Sequence, residues 1–158
     1  KKLLKEISEV YGEQSIIGGI DYINIKNKKK ILKENGTNEI QVDMKKYLSQ
    51  VSKLPIGEIY LNSIDKDGTG MGLDFTILDF LPKNNNKSII ISGGSGNSIH
   101  IASGLKNKNI DAVATSNLLN FVGDGLLKAR MELLEKNFNL PVWNANIIKE
   151  LNNKLKQR

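Results

Sequence analysis

Four short apolar segments, each followed at once by a turn of glycine, hydroxyl, amide or acidic residues, most constrain how this chain can fold. Their length and their β-branched residues are typical of strands buried on both faces of a sheet. Amphipathic helical patterns separate them, as at 43–54 and 99–105. Alternation of strand, turn and helix about four times predicts an α/β fold with a parallel sheet. The four segments are 15–20, 58–64, 88–92 and 111–114.

Other elements follow from local patterns. Apolar residues on one side of 1–11 predict an amphipathic helix that Gly12 ends. The pair Asn35 and Gly36 within the Lys/Asn-rich stretch 23–39 predicts a loop or hairpin above the end of the first strand. Helices are also predicted over 73–80 and from residue 118 onward.

Composition limits the class of protein. A length of 158 residues favours one domain, and the net charge of +6 comes largely from Lys/Asn-rich segments that are typical of solvated loops. Aromatic residues do not interleave with the basic run, so nucleic-acid binding is not expected. With no apolar stretch long enough to span a membrane, we expect a cytoplasmic protein. The absence of cysteine excludes disulfides and thiolate metal sites, and we expect neither a metal nor a cofactor.

The turns after the strands carry the candidate chemistry. Because parallel strands end at one edge of a sheet, these turns should lie together, where α/β proteins bind ligands. Glycines allow close approach of backbone N–H groups to a bound oxygen, and small polar residues before a helix favour an anion. Asp21 follows the first strand and is either functional or a capping aspartate. The single histidine, His100, is expected to be a satisfied or surface residue.

Three segments together carry a family resemblance: NSIDKDGTGMGLD, IIISGGSGN and DAVATSN. In this order and spacing the chain resembles the cyclase subunit of imidazole glycerol phosphate synthase, over the carboxyl-terminal half of its barrel. The resemblance implies a (β/α)8 TIM-barrel fold, of which residues 1–158 would form one half-barrel domain of about four βα units, strands five to eight. It also implies that the chain is a fragment of a longer barrel.

The resemblance implies a role for nine residues. The catalytic general acid or base would be Asp21, and the ammonia gate at the bottom of the barrel would be Glu58. Asn62 would line the substrate site at a position where the histidine-pathway enzymes often carry threonine. The residues that would bind a substrate phosphate are Asp67, Gly68, Gly93, Gly94, Ser116 and Asn117.

The activity implied by the resemblance is that of a carbon–nitrogen lyase in histidine biosynthesis. Ammonia from a glutaminase partner, bound as a heterodimer, would attack a bisphosphorylated ribulosyl-formimino aminoimidazole carboxamide substrate. The other catalytic aspartate of the family lies on strand one, so we expect this half alone to be inactive. An open half-barrel would expose sheet edges and should pair with the missing amino-terminal half or with itself.

Two alternatives remain open. The residues after Asn117 and the identity of Asn62 look more like cyclase-like proteins that deliver ammonia for sugar amidation in surface-glycan synthesis. The chain would then belong to a different pathway. The other alternative is a half-barrel that binds phosphate without turnover.

Overall fold

The computed structural model describes residues 2–26, 28–116 and 125–141 of the chain. Within these residues a six-stranded sheet has the order β3-β2-β1-β4-β5-β6. The pairs β1–β4, β4–β5 and β5–β6 are parallel, whereas β2 pairs antiparallel with both β1 and β3. The strands are β1 (Ile17–Ile25), β2 (Lys28–Lys33), β3 (Asn38–Ile40), β4 (Glu58–Ser63), β5 (Ser88–Ser92) and β6 (Ala112–Val113).

Helices connect the parallel strands, which confirms the predicted βα alternation. Asp43 caps α2 by accepting a hydrogen bond from the Lys46 N–H at 2.9 Å, and Asn97 caps α3 by accepting one from the His100 N–H at 2.9 Å. None of the described helices is long and apolar enough to cross a membrane. The helices are α1 (Lys2–Tyr11), α2 (Met44–Val51), α3 (Ser98–Leu105) and α4 (Gly125–Glu135), with 3-10 helices at Glu13–Ser15 and Phe75–Phe80.

One face of the sheet forms the core. Alternate residues of β1, β4 and β5 are buried there against α2 and the second 3-10 helix. Full burial of such side chains contributes about 1.5–3 kcal/mol each. The fully buried side chains of this core include Tyr22, Ile31, Leu48, Ile59, Leu61, Ile77 and Ile91.

Two elements differ from the sequence prediction. β1 continues to Ile25 instead of ending near residue 20, because it pairs with β2 in a hairpin beyond its pairing with β4. The segment predicted as a helix over 73–80 is a 3-10 helix at Phe75–Phe80. Asp74 fixes its start as a cap and Leu81 is extended before Pro82, so only a short turn of helix fits between them.

The predicted hairpin is confirmed. β2 and β3 are joined by a turn in which Glu34, Asn35 and Gly36 all have positive φ. The predicted α/β half-barrel pattern is confirmed as well, since β1, β4, β5 and β6 are four adjacent parallel strands of a sheet that is not closed. The single-domain organisation over residues 1–158 stays a prediction.

Candidate functional site

Asp21 and Asn62 are neighbours where the parallel part of the sheet ends. They are paired in register on β1 and β4, one position before the last pair of that ladder, Tyr22 and Ser63. The Asn62 Nδ2 group donates a hydrogen bond of 3.0 Å to Asp21 Oδ1. The amide therefore fixes one carboxylate oxygen and leaves the other available for proton transfer.

Asp21 lies on the face of the sheet opposite to the core, which we call the open face. The residues of this face alternate with the buried residues of β1, β4 and β5. Ile17 on this face is 54% exposed, and a Cβ added at Gly19 would have no atom within 4 Å. The row at the level of Asp21 crosses five strands and consists of Glu39, Leu32, Asp21, Asn62 and Ser92.

Glu58 lies at the opposite end of the open face from Asp21. It begins β4 and is in register with Ile17 on β1 and Ser88 on β5. Asn62 is four residue steps along β4 from Glu58, which corresponds to about 13 Å. The predicted gate and the predicted catalytic carboxylate are therefore at the two ends of one surface.

The glycine turn after β5 packs against the loop after β4. Gly93 and Gly94 have φ of 93° and 89°, which an L side chain rarely adopts. A Cβ at Gly93 would lie 2.3 Å from the Ser63 carbonyl oxygen, and one at Gly94 would lie 2.3 Å from that of Gly72. The Gly72 N–H donates to the Gly94 carbonyl at 2.7 Å. Contact between the two loops therefore requires these glycines whether or not a ligand is bound.

The same contact continues further along both loops. A Cβ at Gly96 would lie 2.6 Å from the Gly70 Cα. The Gly96 N–H donates to His100 Nδ1 at 3.2 Å, so His100 is a satisfied side chain, as predicted. We call residues 64–74 and 93–97 the paired loops.

Three further predicted phosphate ligands, Asp67, Gly68 and Ser116, follow strands that end at the same edge of the sheet. The Asp67 N–H donates to the carbonyl oxygens of Ser63 and Ile64 at 3.0 and 3.2 Å, and its side chain is exposed. Gly68 has φ of 75°, and a Cβ added there would have no atom within 4 Å. Ser116 follows β6 and is exposed, whereas Asn117 lies outside the described residues. The structure thus places the described turn residues after adjacent strands.

A buried ion pair beside the site was not anticipated from the sequence. Lys29 on β2 donates a hydrogen bond to Asp74, and the two side chains are only 5% and 8% exposed. Burial by itself would raise the pKa of Asp74, but hydrogen bonds from Lys29 and Thr76 outweigh it and hold that pKa below its usual value. Burial, together with the Asp74 carboxylate, raises the pKa of Tyr22 well above its usual value. Tyr22 is therefore a structural phenol that stays protonated.

Asp21 has no cationic partner within 4.0 Å among residues 2–26, 28–116 and 125–141. In the same part of the chain, no group of three or more acidic or histidine side chains is arranged to hold a metal ion. The chemistry that these residues offer is acid–base chemistry at a single oriented carboxylate.

Comparison with known proteins places the chain in a family. The family described as "Histidine biosynthesis protein" matches residues 1–122. A protein of Parasynechococcus marenigrum, provisionally named imidazole glycerol phosphate synthase subunit hisF2, is 43% identical over 80% of this chain and 47% of its own length.

Two further relatives are named imidazole glycerol phosphate synthase subunit HisF. That of Sulfurisphaera tokodaii is 34% identical over 90% of this chain and 56% of its own length. That of Prosthecochloris aestuarii is 30% identical over 85% of this chain and 54% of its own length. The chain spans about half the length of these curated relatives. Their fold class is the TIM barrel, of which the open parallel sheet is a part. The chain therefore belongs to the histidine biosynthesis protein family and is similar to its HisF cyclase subunits.

Proposed function

We propose that this chain forms the half of a cyclase barrel that carries Asp21 as the general acid or base of imidazole glycerol phosphate synthase. The observation that carries the proposal is the Asp21 carboxylate on the open face, oriented by Asn62 at 3.0 Å. A carboxylate with one oxygen fixed and the other available suits proton transfer during ring closure of the bisphosphorylated nucleotide.

The paired loops support binding of a phosphate beside this carboxylate. Gly93 and Gly94 hold their turn at positive φ, and the Asp67–Gly68 turn follows the neighbouring strand. Backbone N–H groups at such turns bind a phosphate dianion without a counter-charge. Together with Ser116 after β6 and Asn117, the next residue in the sequence, they would hold one of the two substrate phosphates.

The open face suits a second half-barrel and a glutaminase below it. Ile17 and Gly19 are exposed on a surface that a complete barrel would bury, so the other half, or a second copy, would cover it. Glu58, at the far end of this face, would admit ammonia from a glutaminase subunit docked at the bottom of the barrel. The reaction would then take place about 13 Å further along β4.

Exchange of Asp21 for asparagine tests the catalytic role. In the intact native polypeptide with its glutaminase, we expect Asp21→Asn to lower turnover of the nucleotide by roughly 100- to 10,000-fold, while phosphate binding is retained. Asp79→Asn is the matched control, because it is the same substitution at an exposed position of the Phe75–Phe80 helix. Equal turnover in the Asp21 and Asp79 variants would overturn the proposal.

Sugar amidation is the second candidate function, and the position of Asn62 favours it. The Asn62 side chain donates a hydrogen bond to Asp21, so the residue that differs from the usual threonine contacts the proposed catalytic carboxylate. Growth complementation of a histidine auxotroph by the native gene separates the two pathways. Growth supports the histidine pathway, and failure by a folded protein counts against it. Phosphate binding without turnover of either substrate would instead support the non-catalytic binding module.

A further inference from the structure

Lys30 shares the open face with Asp21. On β1, Asp21 and Ile23 point to this face, and the antiparallel register places Leu32 opposite Asp21 and Lys30 opposite Ile23. Lys30 is therefore the diagonal neighbour of Asp21, at about 7–8 Å. A lysine side chain can span this distance. Its backbone lies beyond the level at which the parallel strands end, on the side from which a substrate would approach.

Glu39 holds Lys30 over this face. The Lys30 Nζ lies 2.6 Å from Glu39 Oε2, and the two side chains are 35% and 28% exposed. Glu39 is opposite Leu32 on β3, so it belongs to the same row as Asp21. A partly exposed pair of this kind contributes only about 0–1 kcal/mol to stability. The pair therefore leaves Lys30 free to exchange Glu39 for another anion at little cost to the fold.

The neighbouring lysines of β2 have different positions. Lys29 points to the core face and is bound to Asp74, with 5% of its side chain exposed. Lys33 lies on the opposite face of β2 from Lys30. Its side chain is exposed to solvent at the strand end and is paired with Glu34. Lys30 therefore lies on the face of the sheet that carries Asp21. Lys28, opposite Ile25, lies on the same face one row further from Asp21, so Lys30 is the nearer of the two.

We propose that Lys30 is a substrate-binding residue that accepts an anionic group of the substrate, a phosphoryl or carboxylate oxygen, next to Asp21. This inference rests on the proposed function of the same face. The row contains two carboxylates, Asp21 and Glu39, which would repel a phosphorylated substrate. The ammonium group of Lys30 offsets that repulsion, and its flexible stem allows it to leave Glu39 for the incoming anion. Lys30 then sets which substrates the site accepts.

Kinetics of three variants of the intact native polypeptide with its glutaminase test the proposal. We expect Lys30→Gln to raise KM for the nucleotide by roughly 10- to 100-fold with kcat changed less than about twofold. Lys30→Arg keeps the charge and should return KM to within about threefold of the original value. Lys33→Gln is the matched control on the same strand and should leave KM unchanged. A KM for Lys30→Gln equal to that of Lys33→Gln, or no recovery in Lys30→Arg, would overturn the inference.

Inorganic phosphate provides a second readout that does not depend on turnover. We expect added phosphate to shift the Lys30 side-chain resonances in NMR spectra and to leave those of Lys33 in place. If the native protein fails to turn over the nucleotide but phosphate shifts Lys30, the proposed function fails and the inference stands. If turnover is normal and neither KM nor the Lys30 resonances respond, the inference fails and the proposed function stands.

Discussion

Lys29→Met tests how much the ion pair between Lys29 of β2 and Asp74 stabilises the fold. Lys29 and Asp74 are 5% and 8% exposed, so methionine preserves the length of the side chain but leaves a buried carboxylate without its cation. Removal of one partner of a buried ion pair typically lowers the free energy of unfolding by about 3–5 kcal/mol. Asp74 keeps its hydrogen bonds from Thr76, so we expect a loss near the lower limit, about 3 kcal/mol.

Urea unfolding at pH 7 measures this loss. The double variant Lys29→Met/Asp74→Asn should lose less free energy of unfolding than the sum of its single variants, by at least about 1 kcal/mol, because the pair is one interaction. Lys33→Met is the control, since its pair with Glu34 is 54% and 61% exposed, and it should cost below about 1 kcal/mol. Additive single losses, or a Lys29→Met loss no larger than that of the control, would refute the reasoning.

The same pair makes stability depend on pH. Hydrogen bonds from Lys29 hold the pKa of Asp74 below its usual value despite burial, so the folded-state pKa is lower than the unfolded one. The resulting stability is complete above the unfolded pKa, near 4, and is lost as the pH falls through the folded pKa. Below about pH 4 the original protein should therefore lose unfolding free energy more steeply than Asp74→Asn does, as measured by urea titrations at successive pH values.

Two further predictions concern the site. Gly94→Ala should lower the free energy of unfolding by more than the ~1–2 kcal/mol expected for a non-glycine residue at positive φ, since its Cβ would lie 2.3 Å from the Gly72 carbonyl oxygen. Gly68→Ala has open space for its Cβ and should lower it by only that amount. Thermal unfolding of both variants measures the difference. Asn62→Leu removes the hydrogen bond to Asp21 and should lower kcat roughly 10- to 100-fold with little change in Tm. Unaltered kcat would show that this hydrogen bond does not orient the carboxylate.

Much of this fold follows from local patterns. The apolar runs at 58–64 and 88–92 predict β4 and β5 because a buried strand needs side chains that fill both faces. The pair Asn35 and Gly36 predicts the hairpin turn because both tolerate positive φ. That Asp21 and Asn62 lie toward the same end of the sheet also follows, since parallel strands end at one edge, whereas their pairing as direct neighbours comes from the structure.

Other features depend on register and long-range contact, which local patterns do not encode. Lys29 meets Asp74 across 45 positions of sequence, and only the pairing of β2 with β1 brings them together. The same pairing decides that Lys30 rather than Lys33 faces Asp21, because a shift of one residue would exchange the two faces. The run of lysines at 28, 29, 30 and 33 gives no sign of this difference.

The paired loops have a consequence for how the specificity of this protein can change. The two loops contact each other through backbone atoms, at the Cα atoms of Gly70 and Gly96 and at the hydrogen bond between Gly72 and Gly94. Glycines have no side chains that could change rotamer to make room between the loops. An insertion in either loop would therefore displace the other. Replacing one loop with that of a relative should therefore disrupt the fold of this region, whereas replacing both loops together should preserve it. The two loops can change only as a pair.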